Sequence, residues 1–238
     1  MPPLYPSHVP TSSLEKGFLS VFSAFKALHN PHRADMVAAF GETTGHLALT
    51  RLRRRMRADS VGRRILTERP LIDSNLLKRS CLADLPADSF GGAYARFLTG
   101  HGYDPDERDA VRFVDDEELA YVMLRYRQTH DFAHVLCGLP PTVLGELALK
   151  WFETVQTQLP MCAASAVTGP LSLPRLEREQ LRRDLIPWAV RSGRKTLPLI
   201  NVLFEEEWET PLVDLRKRLR LDPAPGDMCG LLLPTQQK

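Results

Sequence analysis

Apolar positions recur at three- and four-residue steps along most of this chain, the period of helices packed by one face, and no alternating strand pattern is convincing. The first such stripe is Leu14, Phe18, Val21, Phe22, Phe25 and Leu28, with Ser12 or Ser13 placed to cap it and Asn30-Pro31 to end it. We expect this face to pack into the core. A membrane-surface helix normally has a strongly cationic polar face, and here only Lys16 and Lys26 supply it. Residues 33 to 57 read as two further helical segments meeting near Gly41-Glu42-Thr43-Thr44-Gly45-His46. Between residues 67 and 92, Pro70, Pro86, Gly91 and Gly92 break short apolar clusters into a looser region with short helices.

The most regular stretch follows. Asp115 is placed to cap a helix whose first turn carries Asp116, Glu117 and Glu118, acids that suit its positive end. Leu119, Val122, Met123, Tyr126, His130, Ala133 and Cys137 then keep helical spacing until Gly138 and Pro140-Pro141 stop it. Thr142 caps a second helix through Val143, Glu146, Leu147, Lys150, Trp151 and Val155 to about Leu159-Pro160. So short a connection makes the two antiparallel neighbours. Another helix is predicted from Leu176 to Gly193, bent or restarted at Pro187. Thr210-Pro211 reads as a cap plus a first-position proline, before a last helix with Leu212, Leu215 and Leu219 inward and Arg216, Lys217, Arg218 and Arg220 outward. The expected architecture is all-α, a single helical domain over residues 1–222, with a loose tail at 223–238.

Composition narrows the function. With 43% hydrophobic and 25% charged residues in 238, the chain can fill a core, and a net charge of +2 argues against a dedicated nucleic-acid binder. Arg51, Arg53, Arg54, Arg55, Arg57, Arg63 and Arg64 could meet phosphate, an anionic membrane or an acidic partner; a solvated face balanced by acids is the expected reading. Cys81, Cys137, Cys162 and Cys229 form no CxxC pair, so neither a cysteine zinc finger nor a disulfide framework is expected. No stretch approaches the roughly 18 apolar residues that cross a bilayer. No secretory signal is visible, and with only His8 before Lys16 no Arg-rich mitochondrial presequence is visible either.

Chemistry concentrates at His130-Asp131-Phe132-Ala133-His134. At about 100° per residue, His130 and His134 share one helical face a turn apart, with Asp131 to one side. Across the Gly138–Thr142 turn, an antiparallel partner brings Glu146 level with His134. A buried ionised glutamate on an otherwise apolar helix needs a partner, and a cation supplies one. Two histidines and two carboxylates suit zinc, iron(II) or manganese, so the expected ligands are His130, Asp131, His134 and Glu146. The competing reading pairs Asp131 with Arg127 and leaves the histidines as ordinary surface or core residues.

HDxxH, eleven residues (135–145) and Glu146 resemble the pattern of the Coq4 family of ubiquinone-biosynthesis proteins. Matching stretches are VPTSSLEKG (9–17), GETTGH (41–46), RFVDDEELAYV (112–122), KWFETVQTQLPMC (150–162) and PWAVRSGR (187–194), so the similarity runs from about Leu4 to the last helix. The resemblance implies an all-α protein, peripheral on the matrix side of the mitochondrial inner membrane, among other coenzyme Q biosynthesis proteins in a multi-subunit complex. It implies zinc at the four positions. It further implies a lyase, a 4-hydroxy-3-methoxy-5-polyprenylbenzoate decarboxylase whose reaction is coupled to C1 hydroxylation. The alternative it implies is a non-catalytic scaffold that binds polyprenylated benzoate or quinone lipids and organises the complex.

The resemblance carries a tension: four tetrahedral protein ligands would close a zinc site, whereas catalysis needs an open position, and zinc has no redox change. Phe132, Val135, Leu139, Leu144, Leu147, Trp151 and Met123 are candidates for a polyprenyl groove, with core packing the expected role. Tyr126 and Arg127 are placed to orient a ring or a carboxylate, while helix capping accounts for Glu42 and His46.

Overall fold

A computed structural model describes residues 2–29 and 34–226. Among them are twelve α-helices and no strand. In order these are α1 (Ser13–His29), α2 (Ala34–Thr44), α3 (His46–Ala58), α4 (Ser60–Glu68), α5 (Ser74–Arg79), α6 (Phe90–His101), α7 (Glu117–Cys137), α8 (Val143–Thr157), α9 (Pro160–Thr168), α10 (Arg175–Gln180), α11 (Ile186–Lys195) and α12 (Leu212–Arg218). The all-α expectation holds.

α7 is the axis of the molecule. Its Asp116 side chain, one residue later than expected, caps the start by accepting from the Leu119 amide at 2.9 Å; Asp115 instead binds His8 and Lys16. Its N-terminal half packs into one apolar core, with Leu49, Leu52 and Met56 of α3, Ile65 of α4 and Cys162 of α9. Its C-terminal half packs into a second, with Phe90, Tyr94 and Phe97 of α6, Leu149 and Phe152 of α8, Trp188 of α11 and Leu215 of α12. A helix shared by two cores must be apolar on most sides, so the polar residues it buries need partners. Arg125, fully enclosed, meets Glu205 (2.9 Å) and the Val202 carbonyl (2.9 Å); Arg127 meets Glu42 (2.6 Å). Glu42 is therefore no helix cap: it also accepts the Arg112 and Phe113 amides and ties the segment before α7 to α2.

Several local expectations change. α10 continues through a π-helical turn (Leu181–Leu185) into α11, where Pro187 marks a fresh helical start. Pro211 is itself the residue before α12, because the Thr210 hydroxyl turns to Glu207 (2.8 Å). Arg216 points inward and donates to the Leu136 (2.8 Å) and Val135 (3.0 Å) carbonyls at the negative end of α7. Acids balance some arginines of α3 and α4: Arg53 meets Asp116, Arg57 meets Glu118, and Arg64 meets Glu68 and Glu206, whereas Arg51 donates to the Gln158 side chain and Arg55 and Arg63 to the Gln156 and Arg57 carbonyls.

The first helix departs most. It packs on α2 through its less apolar side, where Ser23 is buried and Ser20 and Ala24 are partly covered. Leu14, Phe18 and Val21 stay 72–87% exposed, with Phe22 and Phe25 also on the surface. The expected core packing is thus overturned for Leu14, Phe18, Val21, Phe22 and Phe25, while the side chain of Leu28 lies outside the described residues. Its expected stop at Asn30-Pro31, Cys229 and tail residues 227–238 lie outside the described residues. Ala224 is tied to the Cys137 carbonyl by its amide (2.8 Å).

Candidate metal centre

The turn between α7 and α8 builds the centre. Gly138 takes the left-handed conformation (φ 70°) that glycine tolerates, closing α7 with Gly138 N–H to the Val135 carbonyl (3.3 Å) and Leu139 N–H to the His134 carbonyl (3.0 Å). The Thr142 hydroxyl then caps α8 by accepting the Gly145 amide (3.2 Å). Gly145 sits so close to the turn that an added Cβ would lie 2.0 Å from the Pro140 carbonyl oxygen. α8 therefore starts hard against the end of α7, and Glu146 in its first turn reaches His134.

His130, His134 and Glu146 each present one donor atom, all within 4.8 Å of one another. Glu146 lies 3.0 Å from His134 Nε2 and 3.5 Å from His130 Nε2. The other nitrogen of each ring is occupied. His134 Nδ1 lies 3.0 Å from the Leu139 carbonyl, which can only accept, so that nitrogen carries the proton. His130 Nδ1 likewise faces the Glu153 carboxylate at 2.7 Å. In neutral rings, both Nε2 atoms then turn lone pairs toward the Glu146 carboxylate, a juxtaposition that a proton on Nε2 or a metal cation among the three groups relieves. The donor set therefore fits a divalent metal: two imidazoles with oriented Nε2 atoms and one carboxylate. Phe97 of α6 backs the His134 ring, stacked at 5.6 Å.

Asp131 is not brought into this cluster. Its carboxylate takes Arg108 at 2.6 Å, and Arg108 also reaches the Tyr94 hydroxyl and the Ile72 and Pro105 carbonyls. Asp131 thus has a cationic partner, but not Arg127. Phe132, Val135, Leu139, Leu144, Leu147 and Met123 are all buried core residues, as expected.

Sequence reasoning missed Glu153 and gave Lys150 no role. Glu153, 4% exposed, accepts from His130, from Tyr126 (2.8 Å) and from Lys150 (2.7 Å), with Cys162 close by. The available signal was periodicity: Tyr126, His130 and His134 share one face of α7, and Glu146, Lys150 and Glu153 one face of α8. Burial and the Lys150 ammonium press the metal-free His130 ring toward neutrality, but Glu153 and Glu146 outweigh them and raise its pKa to about 10. Burial opposes ionisation of Glu146 too, yet His134 and His130 hold its carboxyl well below the usual range. Lys150 and His130 do the same for Glu153 against a similar burial cost. Burial, reinforced by Glu153, pushes the Cys162 thiol up to about 12, and burial with Cys162 and Glu153 beside it raises the Tyr126 phenol far above its ordinary value, so both stay protonated.

The model of the family described as "Coenzyme Q (ubiquinone) biosynthesis protein Coq4" matches residues 5–225. This chain belongs to that family. It is 49% identical over 229 residues to the human "Ubiquinone biosynthesis protein COQ4 homolog, mitochondrial", covering 96% of this chain and 86% of that protein. The rat protein of the same description is 48% identical over 228 residues, with the same coverage. A crystallised Nostoc punctiforme protein, described as a candidate ubiquinone biosynthesis protein, shares the fold at a TM-score of 0.67 and 22% identity, over 85% of this chain and 97% of its own.

Proposed function

We propose that this chain acts in ubiquinone biosynthesis as a metal-dependent lyase, removing the C1 carboxylate of a 4-hydroxy-3-methoxy-5-polyprenylbenzoate as that carbon is hydroxylated. The pathway rests on the family. The chemistry rests on one observation, the convergence of His130, His134 and Glu146 with both Nδ1 atoms already engaged. In this reading those three bind the cation directly, and Asp131 stands beside it, neutralised by Arg108. Three protein donors are the number found in open, catalytic zinc sites, which removes the tension of a closed four-ligand site. The bound metal would act as a Lewis acid on the ring carboxylate; exchanging that carboxylate for hydroxyl (ArCOOH + O → ArOH + CO2) is a two-electron oxidation that needs an external oxidant such as dioxygen with any of these metals, and iron(II) or manganese, unlike zinc, would also activate it.

The same reading places the chain peripherally on the matrix side of the mitochondrial inner membrane, in a complex with other coenzyme Q biosynthesis proteins. The relatives' mitochondrial descriptions support the compartment, and the outward apolar stripe of α1 supports contact with a lipid surface. No described helix is long and apolar enough to cross a membrane.

The competing reading is a non-catalytic scaffold that binds prenylated lipids. His134→Ala separates the two. The enzyme reading expects the metal-loaded, purified variant to lose turnover of a prenylated benzoate in single-turnover assays while its partners stay bound. The scaffold reading expects no turnover by the wild type and disassembly of the complex when metal is stripped.

A further inference from the structure

We propose that Glu153 is a positioning residue for the metal, fixing His130 as a ligand through its Nδ1 proton, with Lys150 and Tyr126 holding Glu153 in place. The proposal rests on the metal reading above. The two oxygens of Glu153 are divided between tasks. Oε1 takes His130 Nδ1 at 2.7 Å, while Oε2 takes the Tyr126 hydroxyl at 2.8 Å and the Lys150 ammonium at 2.7 Å. Lys150 also donates to the Tyr126 hydroxyl at 3.3 Å, which closes a triangle around Oε2 and leaves the carboxylate no freedom to rotate away from His130.

Stability alone is a poor reason for this arrangement. A buried ion pair is often matched or exceeded in stability by apolar side chains of similar volume, and here the pair lies on the side of α8 that meets α7, beside Tyr126, His130 and Cys162. What an apolar pair cannot do is accept the His130 Nδ1 proton. With that proton held, the His130 ring presents Nε2 to the side where Glu146 and His134 lie. The Leu139 carbonyl does the same for His134, so each imidazole has its own acceptor: one from the turn backbone, one from α8. Acceptors of this kind orient a ligand ring and raise its basicity, and losing one typically costs about 10–100-fold in metal affinity.

The test is a Co(II) titration of the full chain against a competing chelator, with proton NMR of the Co(II)-loaded protein. Glu153→Gln would keep an acceptor for the His130 Nδ1 proton, and replacing Glu153 alone leaves Lys150 buried without its counter-charge, so the decisive variant is the double Lys150→Met/Glu153→Met, which removes both charges and the acceptor at nearly constant volume. Its control is Arg125→Met/Glu205→Gln, which dissolves a buried pair that touches none of the three ligands. We expect Co(II) affinity to fall about 10–100-fold in the Lys150/Glu153 double variant and to stay near wild type in the control, both at wild-type helix content. We also expect two shifted, exchangeable imidazole N–H signals in the wild type, one of which exchanges rapidly once Glu153 is replaced. Wild-type affinity with both signals intact in the folded Lys150/Glu153 variant would overturn the role of Glu153 and leave the metal reading standing. An equal loss in the control would reduce Glu153 to a structural role. A wild type that binds no Co(II) would bring down both readings together.

Discussion

His130 carries a conflict that sets how the centre should respond to pH. Without a cation, Glu153 and Glu146 hold its proton to a pKa of about 10, against about 6.5 for an unperturbed ring. A metal must displace that proton to reach Nε2. Affinity should therefore climb with pH, roughly tenfold per unit for the one proton displaced, across the range between about 6.5 and 10; Co(II) titrations at about pH 7, 8 and 9 measure the slope, and a flat profile would refute it. Stability of the metal-free fold runs the other way on the alkaline side. The raised His130 pKa contributes stability that is complete below about 6.5 and is lost as pH rises through about 10. The depressed carboxyls of Glu146 and Glu153 contribute above about 4.5 and lose their share as pH falls below it. Metal-free protein should thus be most resistant to urea between these limits, and urea midpoints across pH would check it.

Among the elements, the α7–α8 hairpin matters most, and its precision lies in the turn. Gly145 has no room for a side chain, because the Pro140 carbonyl oxygen would lie 2.0 Å from an added Cβ. Gly145→Ala should displace the first turn of α8, costing about 1–3 kcal/mol as an overpacked site and pulling Glu146 away from His134. Chemical denaturation reads the first effect and Co(II) affinity the second; an alanine variant unchanged in both would show that α8 can slide without losing the centre. The hairpin itself was legible in sequence, because Gly138, Pro140-Pro141 and Thr142 are local signals that act within a few residues. Asp115 and Thr210 misled as caps because each side chain took another partner: His8 and Lys16, far back in the chain, for the first, and Glu207, just before it, for the second.

At the scale of the whole molecule, α1 breaks the rule that apolar faces turn inward. α1 packs on α2 with Ser23 buried and Leu19, Ser20 and Ala24 partly covered, and it leaves Leu14, Phe18, Val21, Phe22 and Phe25 outside. If a bilayer covers this face, each side chain that enters it contributes roughly 1.5–3 kcal/mol. The triple variant Phe18→Ser, Val21→Ser, Phe25→Ser should then lose at least tenfold in binding to vesicles of phosphatidylcholine and cardiolipin, with Co(II) affinity unchanged. Wild-type protein that fails to float with such vesicles would remove α1 as the membrane contact.

The helical class, the long helix ending at Gly138, its antiparallel successor and the pairing of His134 with Glu146 could all be read from the chain, because period, caps and a short turn are properties of neighbouring residues. The fate of Asp131, the burial of Glu153 and the outward face of α1 could not. Asp131 was claimed by Arg108, twenty-three residues earlier in the chain, and α1 packs on α2 with its apolar stripe outward. Glu153 became an acceptor for His130 only when α7 and α8 met at one register. A charge or an apolar face has no fixed partner in one dimension; packing supplies it by bringing distant segments within the few ångströms over which hydrogen bonds and desolvation act.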